Sequence, residues 1–156
     1  MFDFHLQLEE HVPALMRYAT ALTRDADQAS ELIEDTVIEA LAHRHELRAG
    51  DDMRVWLLTM VHDLRSNPFR LSFDPAVSTD RDPTAALTLS DLDRALGELS
   101  EEQRAIILLI GLEGVTYSET ATILRMPLGA VRSRLARARA ALRQTLGVAE
   151  EAPRAA

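Results

Sequence analysis

Hydrophobic residues recur at three- and four-residue steps along most of the chain, a pattern that predicts amphipathic helices and shows no strong strand signal. Three such runs occupy residues 1–67. Asp25 and Asp52 each precede a run and are placed to cap a helix, and Pro68 follows the third run. Pro13 lies inside the first run, so we expect a kink or a restart there. The pattern predicts a three-helix domain.

The helical pattern disappears over residues 68–84. Three prolines punctuate this stretch, which is rich in Ser, Thr and Asp. Such a composition is typical of a flexible linker between domains. Helical periodicity resumes over residues 85–148, and residues 149–156 are expected to form a disordered tail. The predicted fold is therefore all-α, with two small helical domains joined by a flexible linker.

The second domain is predicted to hold four helices. Ser100 with Gln103, and Thr116 with Glu119, have the spacing of capping boxes that open helices. Pro127 is well placed just before the last helix or in its first turn. The last two helices are separated by a turn of three to four residues, and the second of them is basic. This arrangement indicates a helix-turn-helix.

Charge is distributed unevenly along the chain. The net charge is −8, and all 17 basic residues are arginine. Residues 1–73 hold seven arginines against thirteen acids, whereas residues 92–149 hold eight arginines against six acids. The stretch 128–146 contains five arginines and no acid. A positive patch on an acidic protein attracts the phosphates of nucleic acid. A helix face that is only exposed to solvent would have the same composition.

The composition of the last helix suits entry into DNA. Its leading residues Leu128, Gly129 and Ala130 are not all bulky, as a groove about 12 Å wide requires. Arginines that can reach base edges and phosphates follow directly. The candidate contacts from this helix are Gly129, Ala130, Arg132, Ser133, Arg134, Arg137 and Arg139.

Several segments resemble a known family. The runs LGELSEEQR at 96–104, LEGVTYSE at 112–119 and GAVRSRLARARAAL at 129–142 resemble region four of extracytoplasmic-function (ECF) sigma factors. The runs LTRDAD at 22–27, LIEDT at 32–36 and VWLLTMV at 55–61 are similar to region two of the same family, in the same order. The resemblance covers about residues 8–147.

The resemblance implies a role in transcription initiation without catalysis or a cofactor. Region four would bind the −35 promoter element, and the helix-turn-helix site then also includes Thr116 and Tyr117. Region two would bind the −10 element with Arg48, Arg54, Arg65 and Arg70, and would dock on core RNA polymerase through Glu31, Glu34 and Asp35. The implied partners are core RNA polymerase, promoter DNA and an anti-sigma factor.

Two alternatives remain beside an active sigma factor. The first domain is acidic, and Asp63 stands where the family usually has Asn, which favours a sigma-like decoy or a partner-dependent sigma factor that binds an anti-sigma factor. An ordinary helix-turn-helix repressor or activator would leave the first domain without a role. Trp56, among apolar neighbours, is expected in the core rather than as a platform for a base.

Enzymatic and membrane functions have little support. The sequence contains no phosphate-binding loop, dinucleotide turn or nucleophile elbow. It has no cysteine, and its five histidines lack the spacing of a metal site. Hydrophobic runs fall short of the roughly 18 residues that a membrane span needs, so a cytoplasmic protein without membrane insertion is expected.

Overall fold

The computed structural model describes residues 3–67 and 87–147, with only the backbone described for residues 87–90. These segments hold seven α-helices and no strand, which confirms the all-α prediction. The predicted linker and C-terminal tail lie outside the described residues. The helices are α1 Phe4–Thr23, α2 Ala26–Ala42, α3 Met53–Arg65, α4 Leu87–Glu98, α5 Glu101–Ile107, α6 Tyr117–Leu124 and α7 Leu128–Leu146.

The aspartate caps of the first half form as predicted. Asp25 Oδ1 accepts hydrogen bonds from the amides of Asp27 and Gln28 at 2.9 and 3.0 Å. Asp52 caps α3 in the same way. The expectation of a restart at Pro13 is wrong, because α1 runs through it as one helix. Pro13 is exposed, so the carbonyl that loses its amide partner there can be hydrated.

The second half opens with the predicted capping box and continues less regularly. Ser100 Oγ accepts from the Gln103 amide, and the Gln103 side chain accepts from the Ser100 amide, both at 3.2 Å. After α5 the helix widens into a π-helical turn over Leu108–Leu112. Gly114 then takes a left-handed φ of 65°, which ends this helix as predicted.

Only one of the two predicted bonds of the second capping box is present. Thr116 Oγ1 accepts from the Glu119 amide at 3.1 Å. The carboxylate oxygen Oε2 of Glu119 is instead buried without a hydrogen-bond partner. Thr116 is therefore a simple N-cap of α6, because its partner side chain has turned into the protein.

The two halves of the chain share one hydrophobic core. Tyr18 and Leu57 from the first half belong to the same buried cluster as Leu109 and Ile123 from the second. A smaller cluster under α7 is built from Ile106, Val131 and Leu135. Trp56 is half-buried against the main core, with its ring edge-on to Phe4 at 6.1 Å between centroids, as expected of a core residue.

A buried arginine joins helix ends from both halves. Arg104 Nε donates to the carbonyl of Leu22 at 2.8 Å, and Nη1 donates to the carbonyls of Leu96 and Leu99 at 3.2 and 3.3 Å. Carbonyls at helix C-termini lack helical partners and carry partial negative charge. The guanidinium therefore satisfies the ends of α1 and α4 together and holds them close.

Candidate nucleic-acid interface

The turn between α6 and α7 has the geometry of a helix-turn-helix. Helix α6 ends at Leu124 and is capped by Arg125, whose φ of 52° is left-handed. The amide of Met126 bonds to the carbonyl of Ala121 at 3.0 Å. Pro127 precedes α7 with extended backbone. Three residues thus separate the helices, which confirms the turn length expected from the sequence.

The outward face of α7 is lined by small residues. Val131, Leu135 and Ala138 are buried and fix which side of the helix points inward. Because successive residues rotate by about 100°, the opposite side is centred, over residues 128–140, on four exposed positions. These positions are Gly129, Ser133, Ala136 and Ala140. We call this strip the small-residue strip. Its narrow profile would let the helix backbone lie close to the floor of a groove.

Arginines flank the small-residue strip on both sides. Helical geometry puts Arg132, Arg139 and Arg143 along one edge, and Arg137 and Arg134 along the other. All five are exposed. Two cationic edges beside a narrow strip match the two phosphate backbones that border a groove.

Four of these five arginines are available to a ligand. Within the described segments, Arg132, Arg137, Arg139 and Arg143 form no ion pair. Arg134 pairs with Glu102 of α5, and its Nη1 lies 3.5 Å from the sulfur of Met126. Its guanidinium is therefore held back toward the protein at one end of the outward face.

The predicted site residues of α6 lie at its first turn. Thr116 is exposed, with its hydroxyl engaged in the N-cap. Tyr117 is half-buried and packs against the smaller core. Both lie at the end of α6 away from the turn, on the supporting helix rather than on the outward face of α7.

The arginines predicted to bind the −10 element do not share one free surface. Arg48 is exposed. Arg54 Nη1 donates to the carbonyl of Glu113 at 2.8 Å, and Arg65 makes two bonds to the carboxylate of Glu101, at 2.8 and 3.1 Å. Both partners belong to the second half of the chain. Arg70 lies outside the described residues.

The predicted polymerase-binding acids lie on the outer side of α2. Glu31 and Glu34 are exposed and Asp35 is partly exposed. Ile38 follows on the same side, one turn further along, and is 63 % exposed, the highest value among the exposed large hydrophobic residues of the described segments. The helix carries no basic residue. Its outer side thus combines negative charge with one apolar side chain.

Other kinds of site find no support in residues 3–67 and 87–147. Within those ranges, no group of three or more His, Asp or Glu side chains is arranged to hold a metal ion. Within the same ranges, every helix is too short or too polar to cross a bilayer.

Both halves of the chain match known protein families. Residues 89–142 match the family described as sigma-70, region 4, and residues 8–62 match the Sigma2 domain of PhyR. The chain is 36% identical over 153 residues to the ECF RNA polymerase sigma factor SigL of Mycobacterium tuberculosis, covering 88% of this chain and 85% of SigL. It is 29% identical over 147 residues to the ECF sigma factor EcfG of Rhodopseudomonas palustris, covering 88% and 81%.

A solved structure shows the same arrangement of helices. The sigma factor RpoE from Bartonella quintana, crystallised with the anti-sigma factor NepR, superposes with a TM-score of 0.75 at 30% identity. The match covers 94% of this chain and 98% of that one. The sequence identity to SigL over most of both chains, together with this fold, confirms the resemblance drawn from the motifs. The chain belongs to the ECF RNA polymerase sigma factors of the sigma-70 family and has the role of a sigma factor in transcription.

Proposed function

We propose that the outward face of α7 binds the −35 element in the major groove. The small-residue strip would approach the base edges, where Ser133 can exchange hydrogen bonds with any base. The flanking Arg132, Arg137 and Arg139 would bind phosphates on the two strands, and Arg134 would join them on leaving Glu102. The observation that carries this proposal is the exposed strip, on whose edges Arg132, Arg137 and Arg139 form no ion pair with the described residues.

The strip gives a test of how closely α7 approaches DNA. Ala136→Leu enlarges a side chain on the outward face with only a small loss of helix propensity. We expect affinity for −35 duplex to fall about tenfold, because the helix can no longer reach the groove floor. Fluorescence anisotropy with a labelled promoter duplex measures the change.

A control substitution distinguishes a steric clash in the DNA groove from the general effects of an exposed leucine. Ala26→Leu makes the same change at an exposed position of α2. It should leave DNA affinity at the wild-type value. Equal affinities for the Ala136 and Ala26 variants would show that α7 does not insert by this face.

The acidic outer side of α2 is proposed to bind core RNA polymerase. Glu31, Glu34 and Asp35 supply negative charge, and the adjacent Ile38 supplies apolar area that a partner can bury. Interfaces of this kind place an apolar anchor within a charged rim. A partner with a basic, partly apolar surface fits these properties.

Charge reversal on α2 tests whether its outer side binds core polymerase. Glu34→Arg is expected to weaken core polymerase binding about tenfold, because it places like charge against a basic partner. Titration of a fluorescently labelled chain with purified core polymerase measures the effect. Glu9→Arg makes the same change at an exposed position of α1 and should bind as the wild type does. A Glu34 variant that binds normally would exclude this side of α2.

The first half is also proposed to bind the −10 element through Arg48, Arg54, Arg65 and Arg70. Arg48 already faces solvent. Arg54 and Arg65 would first have to exchange their partners in the second half for DNA phosphates. Guanidinium groups that bind carboxylates with two parallel bonds bind phosphates in the same manner.

Run-off transcription tests the function as a whole. Purified core polymerase supplied with this chain should give a promoter-specific transcript that core polymerase alone does not give. The chain would act by binding, without catalysis of its own, and would work in the cytoplasm where transcription takes place. We also propose regulation by an anti-sigma factor, since the relative RpoE was crystallised with one.

A sigma-like decoy is the second candidate. Its support is the match of residues 8–62 to the Sigma2 domain of PhyR, together with the acidic balance of the first half. A decoy would bind an anti-sigma factor but would yield no transcript with core polymerase. The outward face of α7 favours the active sigma factor, because a pure decoy has no need of free arginines for DNA.

A further inference from the structure

Two of the four arginines assigned above to the −10 element are bound by acidic residues of the second half. Arg65 makes a two-pronged ion pair with the Glu101 carboxylate, and Arg54 donates to the backbone carbonyl of Glu113. Arg65 also donates to Gln28 at 3.2 Å. The carboxylate of Glu101 thus stands where a phosphate would bind Arg65. DNA and the second half of this chain compete for the same donors.

Further contacts hold the two halves in this arrangement. Arg17 makes a two-pronged pair with the side chain of Glu113, at 3.1 and 3.2 Å, and that side chain is only 4% exposed. Asp63 of α3 pairs with Arg125 in the turn of the helix-turn-helix, at 2.7 and 2.9 Å. We call the pairs Arg17–Glu113, Arg65–Glu101 and Asp63–Arg125 the inter-half ion pairs.

A close backbone approach accompanies these pairs. The guanidinium of Arg24, from the loop between α1 and α2, lies directly over Gly97 of α4, where any Cβ would collide with it. Arg24 Nη2 also donates to Asp93 at 3.2 Å. The fit between the halves therefore includes both charge pairing and shape, in addition to their common core.

This closed arrangement is too small to read both promoter elements. Elements centred at −10 and −35 are about 25 base pairs apart, which is about 85 Å along B-form DNA. A compact chain of this length has a diameter of about 40 Å. One half must therefore separate from the other before both elements can be bound.

We propose that the inter-half ion pairs are an autoinhibitory contact that withholds the −10 surface while leaving the outward face of α7 open. The closed protein would bind −35 duplex, and single-stranded −10 DNA would bind only after the halves separate. This inference rests on the −10 and −35 assignments of the proposed function. It adds that Glu101 and Glu113, outside either DNA surface, determine access to one of them.

The inference can be tested on the full chain. Glu101→Gln with Glu113→Gln removes the acceptor charge of two inter-half ion pairs and keeps side-chain shape. The matched control is Glu98→Gln with Glu102→Gln, which changes net charge equally. Its two acids bond within the second half, to Thr145 and Arg134.

Separation of the halves is measured without DNA. The chain has no cysteine, so Ser30→Cys on α2 and Gln144→Cys on α7, both exposed, accept a donor and an acceptor dye. Single-molecule energy transfer should show one high-transfer state in wild type and in the control. The Glu101 and Glu113 double variant should show a second, low-transfer state in a substantial fraction of molecules.

Access to the −10 surface is measured with an oligothymidine strand of about 20 nucleotides, since single strands bind through phosphates and stacking. Affinity should rise several-fold in the double variant relative to both wild type and control, while affinity for a −35 duplex stays within about twofold of the wild type.

The possible outcomes distinguish a failure of the autoinhibitory contact from a failure of the −10 assignment. Unchanged energy transfer in the double variant, or an equal gain in oligothymidine affinity in the control, overturns the autoinhibitory contact. If the double variant opens but no variant binds oligothymidine, the ion pairs do hold the halves together. That result would instead contradict the −10 assignment of Arg54 and Arg65.

Discussion

Replacing Arg132 and Arg137 together by alanine is expected to weaken binding to −35 duplex by about 100-fold. The two side chains lie on opposite edges of the small-residue strip, so each would contact a different strand. A hydrogen bond to a charged group contributes about 1.5 kcal/mol, or roughly tenfold in affinity, and the two sites are far enough apart to add.

Salt dependence provides an independent readout of the same variant. Loss of two phosphate contacts should reduce the slope of log affinity against log salt by about two. The loss of affinity should be similar for specific and unrelated duplexes if these arginines bind phosphates, and circular dichroism should show an unchanged fold because both are exposed.

Arg94→Ala is the matched control for this pair. Arg94 is exposed and pairs with Asp91 on its own helix α4, away from the outward face of α7. Its removal should leave DNA affinity and salt slope nearly unchanged. If the control loses about half as much binding free energy as the double variant, as one charge against two would give, the arginines of α7 act only through overall charge and the proposed docking face is wrong.

Acidification is expected to destabilise the protein through His62. The Nε2 of the half-buried His62 lies 2.6 Å from the Tyr18 hydroxyl, between α1 and α3. Burial lowers the pKa of His62 to about 4, against the opposing effect of the nearby carboxylates of Glu101 and Asp63. Burial also raises the pKa of Tyr18, so that its hydroxyl stays protonated and can donate to the neutral ring.

The sign of the effect follows from the two pKa values of His62. The unfolded chain takes up this proton near pH 6.5, whereas the folded chain takes it up only near pH 4. The free energy of unfolding therefore falls as pH decreases through this range. The loss is about 2 kcal/mol by pH 5 and about 3 kcal/mol in full.

Urea unfolding between about pH 7.5 and pH 5 measures this dependence, above the range where most carboxylates titrate. His62→Gln should lower stability at pH 7.5 yet show a much flatter dependence on pH. His45→Gln, at an exposed histidine, should retain the wild-type slope. If the free energy of unfolding of His62→Gln still falls by about 2 kcal/mol between pH 7.5 and pH 5, groups other than His62 cause the dependence.

Local chemistry made much of the fold predictable from the sequence. Asp25, Asp52 and Ser100 cap helices because short polar side chains reach nearby amides, whatever the rest of the molecule does. The inward face of α7 follows from the spacing of Val131, Leu135 and Ala138, and its outward arginines follow from that.

The contacts between the halves were not predictable in the same way. Nothing in the local sequence around Arg17 or Glu113 indicates that they meet, because their pairing depends on how distant helices pack. The prediction that Arg54 and Arg65 bind the −10 element rested on their charge. It did not foresee that they bond to Glu113 and Glu101 of the second half. Asp63, noted in the sequence as a departure from the family, has an explanation here as the partner of Arg125.

The missing side chain at Gly97 has a consequence for how such proteins diversify. A Cβ at this position would meet the guanidinium of Arg24 and displace it from α4. Variation at this one position would thus alter the fit between the two halves of such proteins, without changing any residue proposed above to bind DNA or polymerase.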